Sequence, residues 1–519
     1  MRGGRGGGRL GFPPAPGRHV PGGGSGPRPA ANCGTPGWHH IRTLRNGSAR
    51  HATPERRTPF SDKNKPMHLT NLTRANEIGA NSYLLETAGG NLLIDSGMNP
   101  KAEGGDALPD FRAAGDRDVQ SILVSHAHLD HSGSIPVAMR HFPGAPVFMT
   151  ELTARLVDAM LHNSVNVMTS QRDEKGIQDY PFFSHGEVDD AVDKWIETRV
   201  GRASEVLPGV HVEWFDAGHI PGSAGIGLRS GGKSLFYTGD VQFEDQCFCR
   251  GADFPERPVD VLLMETTRGA TDRATHFTRS AEIERFAAVV RETFAAGGSV
   301  LVPVFALGKT QELLLMLHEA KEGGLIPADA PVHLGGLGTK LTQIIDRFRG
   351  DIRRRRPELD LLRDTGVKLR SRKKRGPLQI EPGGIYALSS GMLMENTTSN
   401  EFASRFIDKT ANSICFVGYS DPESPAGALL ATEPGGDVVL DHRRPPVPLN
   451  CRVEKFDFSG HATREQLLEY ACRVRPATVV LVHGDGDALD WFQAGLARDL
   501  PETQVVIPPP GERVELVRA

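Results

Sequence analysis

Directly behind the apolar run Ile122-Leu123-Val124, the chain reads Ser125-His126-Ala127-His128-Leu129-Asp130-His131-Ser132-Gly133. Imidazole and carboxylate are ligand types that zinc takes, and a catalytic zinc needs such ligands plus an open position for water. In an extended segment His126 and His128 point to the same face. Asp130 and His131 follow where a helix could begin, so they aim at a second point a few ångströms away. That arrangement suits two metals rather than one. The competing reading is a polar loop with incidental histidines, and the density of ligand types weighs against it.

The pattern His-x-His-x-Asp-His resembles the signature of the metallo-β-lactamase-fold hydrolases. Further matches follow in order. Asp95, after Leu92-Leu93-Ile94, resembles a first motif whose carboxylate orients the metal loop without binding metal. His219, in Ala217-Gly218-His219-Ile220-Pro221-Gly222, and Asp240, closing Leu235-Phe236-Tyr237-Thr238-Gly239-Asp240, resemble the third and fourth motifs. Glu265-Thr266-Thr267-Arg268-Gly269 resembles the opening of the β-CASP insertion found in nucleic-acid-processing members. Phe458-Ser459-Gly460-His461 and Leu481-Val482-His483-Gly484 resemble that branch's two C-terminal segments.

The resemblance implies an α/β fold: a four-layer αββα metallo-β-lactamase core with an inserted α/β β-CASP cap. It sets the core at 67–268 and 428–519 and the cap at 269–427. By the same pattern His126, His128 and His219 hold one Zn2+, while Asp130, His131 and His461 hold the second, with Asp240 bridging. Asp130 is also a candidate to accept the nucleophile's proton. His483 has no ligand role in that pattern and reads as a hydrogen-bonded core histidine. In relatives Glu265's counterpart steers a histidine that contacts the scissile phosphate or protonates the leaving oxygen. Matching Thr432-Glu433-Pro434 to the family's similar triplet sets Leu429 at that histidine's place, so the chain is expected to lack it. A histidine at the last motif marks the RNA-processing branch, and His461 therefore argues for RNA. The expected function is zinc-dependent hydrolysis of RNA phosphodiesters. The alternatives are a small-molecule ester hydrolase of the same fold or a non-catalytic RNA-binding partner, and homo-oligomerisation stays open.

Charge sharpens this picture. The total is −4, yet residues 1–66 carry +10 and residues 347–375 carry +9, leaving −23 on the remainder. The first segment is rich in Gly, Arg and Pro without apolar periodicity and is expected to be disordered. It reads as an RGG-like arm, a transit peptide or untranslated sequence upstream of Met67, the last being favoured. The basic run at 353–356 and the cluster at 370–375 lie inside the cap, where they are expected either to contact RNA phosphates or to be merely solvated. No apolar run approaches the ~18 residues of a membrane span. The six cysteines are scattered and suggest no disulfide framework, which fits a reducing cytoplasm. Cys247 and Cys249 read as packed thiols.

Overall fold

The computed structural model describes residues 66–369 and 379–517. The segment 1–65 and the basic cluster at 370–375 lie outside the described residues. Two seven-stranded sheets form the core. The first runs Arg513–Val517, Met67–Asn71, Tyr83–Thr87, Gly90–Ile94, Ser121–Leu123, Val147–Thr150 and Trp195–Thr198. The second runs Gln504–Val506, Thr478–Val482, Val261–Glu265, Lys233–Tyr237, Ala224–Ser230, Val210–Asp216 and Ala203–Leu207.

Alternation along the strands builds the layers. In Val261–Glu265, Val261 and Leu263 enter an inter-sheet core with Leu85, Ile94, Leu123, Trp214 and Val480. Their neighbours Leu262 and Met264 face outward, against Leu467, Tyr470, Phe492 and Leu496 of the helices Arg464–Val474 and Gly486–Asp499. Helices Ile135–His141, Glu151–Lys175 and His185–Val192 pack with the outer side chains of the first sheet, Leu84, Leu93, Ile122 and Val147. The result is helix, sheet, sheet, helix. Strands buried on both faces read as continuous apolar runs, as Val261-Leu262-Leu263-Met264 and Thr478-Val479-Val480-Leu481-Val482 do.

The cap is a six-stranded parallel sheet ordered Lys368–Leu369, Val332–Leu334, Ile385–Leu388, Val300–Pro303, Ser413–Phe416 and Arg452–Lys455. Its last strand corrects the expected boundary. Arg452–Lys455 pairs with Ser413–Phe416, and helix Pro425–Ala431 buries Ala426 and Leu429 in the cap's own core. The chain therefore leaves the cap after Lys455, not at 428. Among the described residues no helix is long and apolar enough to cross a membrane.

Candidate metal centre

Loops at one end of the two sheets converge on the site. Strand Ser121–Leu123 ends just before His126, and His128 caps the helical turn Leu129–Ser132. The turn is tied to the neighbouring strand end by Asp95, a fully buried residue at φ 58°. Its carboxylate accepts from the Ser125 N–H at 2.7 Å, and from the Ser125 and Tyr237 hydroxyls and His131 Nδ1 at 2.8 Å each. Gly97 lets this happen, because a Cβ there would lie 1.8 Å from the Asp130 carbonyl oxygen.

Three groups of ligand-type atoms result: His126, His128, His219 and Asp240; Asp130, His131 and His483; and Asp240, Glu265 and His461. Asp240 stands between the first two. Its Oδ2 is 3.5 Å from His126 Nε2 and 3.7 Å from His219 Nε2, while its Oδ1 is 3.4 Å from His131 Nε2. In the second group His483 Nε2 lies 3.2 Å from His131 Nε2 and 3.4 Å from Asp130 Oδ2.

Hydrogen bonds at the far ring nitrogens decide where the lone pairs point. His131 Nδ1 can only donate to the Asp95 carboxylate, and His219 Nδ1 can only donate to the Gly460 carbonyl, at 2.7 Å. The Ser125 hydroxyl donates to Asp95, so it accepts from His126 Nδ1 at 3.0 Å. The Thr267 hydroxyl donates to Glu265, so it accepts from His483 Nδ1 at 2.9 Å. In the neutral rings all four Nε2 atoms are then lone-pair acceptors, turned toward one another and toward carboxylates. Such a cluster of lone pairs and carboxylates fits a bound cation. His126 Nε2 and Asp240 Oδ1, both buried, have no hydrogen-bond partner, as fits atoms that bind a metal ion. Burial lowers the His126 and His219 imidazoles and takes His128 down to about 3, so these rings are neutral donors. Burial opposes protonation of His131 too, but Asp240, Asp130 and Asp95 hold its pKa high, so a metal there must displace a proton.

Beside this cluster, Glu265 ends its strand 1% exposed, with Oε1 accepting the Val241 N–H at 2.6 Å. Its Oε2 lies 3.1 Å from His461 Nδ1.

Comparison with known proteins agrees with the fold. Residues 75–279 match the metallo-beta-lactamase superfamily, 310–429 the Beta-Casp domain and 446–508 the Zn-dependent metallo-hydrolase RNA specificity domain. The chain is 29% identical to cleavage and polyadenylation specificity factor subunit 3 of Dictyostelium discoideum, over 85% of this chain and 56% of that protein. It is 27% identical to endoribonuclease YSH1 of Saccharomyces cerevisiae, over 81% of this chain and 55% of that one. It is 30% identical to the transcription termination factor FttA of Methanocaldococcus jannaschii, over 84% of this chain and 69% of that protein. The chain belongs to the β-CASP family of the metallo-β-lactamase superfamily. It spans little more than half the length of the first two relatives. A crystal structure of a protein of unknown function from Enterococcus faecalis V583 shares the fold, with TM-score 0.52 and 14% identity over 87% of this chain and 100% of that one.

Within this β-CASP chain two expectations change. His461 does not stand with Asp130 and His131; His483 does, and His461 pairs with Glu265 instead. Leu429 is not the vacant place of a histidine. It is fully buried in the cap's apolar core, and the histidine that Glu265 addresses is present as His461. His126, His128 and His219 share one group with Asp240, and Asp130 and His131 share another.

The run at 353–356 also differs from a free basic patch. Arg353 reaches Asp253, Arg355 reaches Glu319, and Arg356 reaches Glu322 and Glu358. Arg354 is buried and donates to the Pro357 and Leu359 carbonyls.

Proposed function

We propose that this β-CASP protein hydrolyses RNA phosphodiester bonds with two zinc ions, and that His461 protonates the leaving oxygen. The observation that carries the reading is the position of Asp240, one oxygen toward each histidine group, with the Glu265–His461 pair alongside. His126, His128, His219 and Asp240 would hold one ion, and Asp130, His131, His483 and Asp240 the other. Zinc bound there would supply a water acidic enough to attack at neutral pH and positive charge across an in-line displacement at phosphorus.

The chain's own part is proton transfer. Burial alone would lower the His461 imidazole, but Glu265 and then Asp240 raise its pKa above the ordinary value, which favours the protonated ring. As the P–O bond breaks, that proton passes to the departing oxygen, and the Glu265 carboxylate holds the ring in place throughout. The His461 side chain is 21% exposed, whereas those of His126, His131, His219 and His483 are 4% or less. With His128, it is one of the two histidines of the site that are not fully buried. RNA as the substrate is supported by the RNA specificity match at 446–508, which includes both His461 and His483.

The test is purified protein on end-labelled RNA and DNA of the same sequence. RNA cleavage that a chelator abolishes and zinc restores is expected. Folded, zinc-loaded protein that leaves RNA intact would overturn the proposal.

A further inference from the structure

His461 sits on a loop whose backbone is gripped carbonyl by carbonyl. The Phe458 carbonyl accepts from Lys309 Nζ. The Ser459 carbonyl accepts from Gln242 and Arg279, both at 3.3 Å. The Gly460 carbonyl accepts from the His219 ring, and the His461 carbonyl from Gln242 at 2.9 Å. Gln242 and His219 belong to the core, whereas Lys309 and Arg279 belong to the cap.

Lys309 opens the cap helix Lys309–Glu322, and that helix end is docked on the core beside His219. A Cβ on Gly308 would fall 2.6 Å from Ile220 Cγ2, the residue after His219. One turn on, Glu312 accepts the core Cys247 and Phe248 N–H groups at 2.7 Å each and pairs with Arg279 at 3.0 Å. At Gly460 a Cβ would lie 3.4 Å from Lys309 Nζ and 3.3 Å from His219 Nδ1. The cap's ammonium and a core metal-site histidine therefore flank the same glycine, one residue before His461.

We propose that Lys309 is a positioning residue for the reaction: from the cap it holds the backbone that presents His461, so that docking of the cap and placement of the proton donor are one event. The inference rests on His461 acting as the donor. Displacing a reacting group by about 1 Å costs on the order of 100-fold in rate, and a backbone hydrogen bond from a charged donor is what prevents such a shift.

The experiment uses the full, zinc-loaded chain with Lys309→Met, Lys309→Arg and His461→Ala singly, and Lys309→Met combined with His461→Ala. Readouts are kcat and KM on a short RNA, the rate on bis-p-nitrophenyl phosphate, whose leaving group needs no proton, and zinc content. Lys309→Met is expected to lower kcat on RNA at least ~10-fold with KM little changed. The ester rate should fall far less, and Lys309→Arg should recover most of the RNA rate. In the His461→Ala background Lys309→Met should add almost nothing, since two residues acting through one step are non-additive. A rise in KM at constant kcat would make Lys309 a substrate contact, and an equal loss in the His461→Ala background would make it merely structural; either overturns the inference. If Lys309→Met does not fold, Lys309→Gln, which keeps a donor without the charge, carries the same comparison. A His461→Ala enzyme as fast as wild type on RNA would refute the donor assignment itself. A slow His461→Ala beside an unimpaired Lys309→Met would refute only the role of Lys309.

Discussion

The Nε2 atoms of His131 and His483 lie 3.2 Å apart, although 352 residues separate them in sequence. With Nδ1 of each ring committed to a partner, Asp95 for one and Thr267 for the other, the two neutral rings present lone pair to lone pair. Only a proton or a cation makes that contact favourable. His461 stands apart from that pair, grouped with Glu265 and Asp240, and its Nδ1 faces Glu265 at 3.1 Å.

Replacing His461 by alanine should therefore act on leaving-group departure. RNA cleavage is expected to fall by ~10²–10⁴, with a much smaller loss on bis-p-nitrophenyl phosphate. Single-turnover rates on both substrates measure the ratio, and equal losses on the two would remove the donor role.

Leu429→His should bring no gain in RNA cleavage. Leu429 is 0% exposed among Phe402, Phe406, Phe416 and Ala426. An imidazole there loses apolar burial and lacks a hydrogen-bond partner, at a cost of about 2–4 kcal/mol. Urea unfolding should show the loss, and a variant as stable as wild type and faster on RNA would contradict the placement of Leu429.

The local ligand motif was legible in the sequence because His126 to His131 lie within one strand end and one helical turn. Asp240 and Glu265 were legible because each follows an apolar run. His461 and His483 were not separable in that way, since each stands beside a glycine and each resembles a family segment. What separates them is long-range register. Val482 pairs with Glu265 in the parallel ladder, which carries His483 to the sheet end where Glu265 already stands. A histidine directly after a buried parallel strand was the available signal. The cap's end was missed for a related reason: Arg452-Val453-Glu454-Lys455 is an edge strand with charge on both faces, and no apolar run announces it.

The arginines at 353–356 should divide by burial. Arg354→Met removes a 2% exposed guanidinium bonded to two carbonyls and should cost about 2–3 kcal/mol. Arg355→Gln with Arg356→Gln should leave the salt dependence of RNA binding nearly unchanged, because both charges already face Glu319, Glu322 and Glu358. A slope lowered by about 0.7–0.9 per residue would show that they neutralise phosphates instead.

Asp216 supplies a pH signature. It accepts the Gly218 N–H at 2.9 Å, yet burial pushes its carboxyl up to about 6. A carboxyl raised above its unfolded value binds its proton more tightly in the folded state. Its contribution to stability is complete below the ordinary value of 3.8 and is lost as pH rises through about 6. Asp216→Asn keeps the acceptor and removes the titration. Relative to wild type it should gain stability between pH 4 and pH 7, by at most about 3 kcal/mol before solvent screening. Denaturant midpoints at several pH values read this, and a gap that does not change with pH would be the contrary result.

His483 as a metal ligand and His461 as a proton donor differ most plainly in what their loss does to zinc content. Elemental analysis of His483→Ala and His461→Ala, purified without chelator, should find that His483→Ala loses about half of the wild-type zinc. His461→Ala should keep all of it while losing RNA cleavage. The reverse pattern, with zinc lost from His461→Ala and retained in His483→Ala, would exchange the two roles and overturn both assignments.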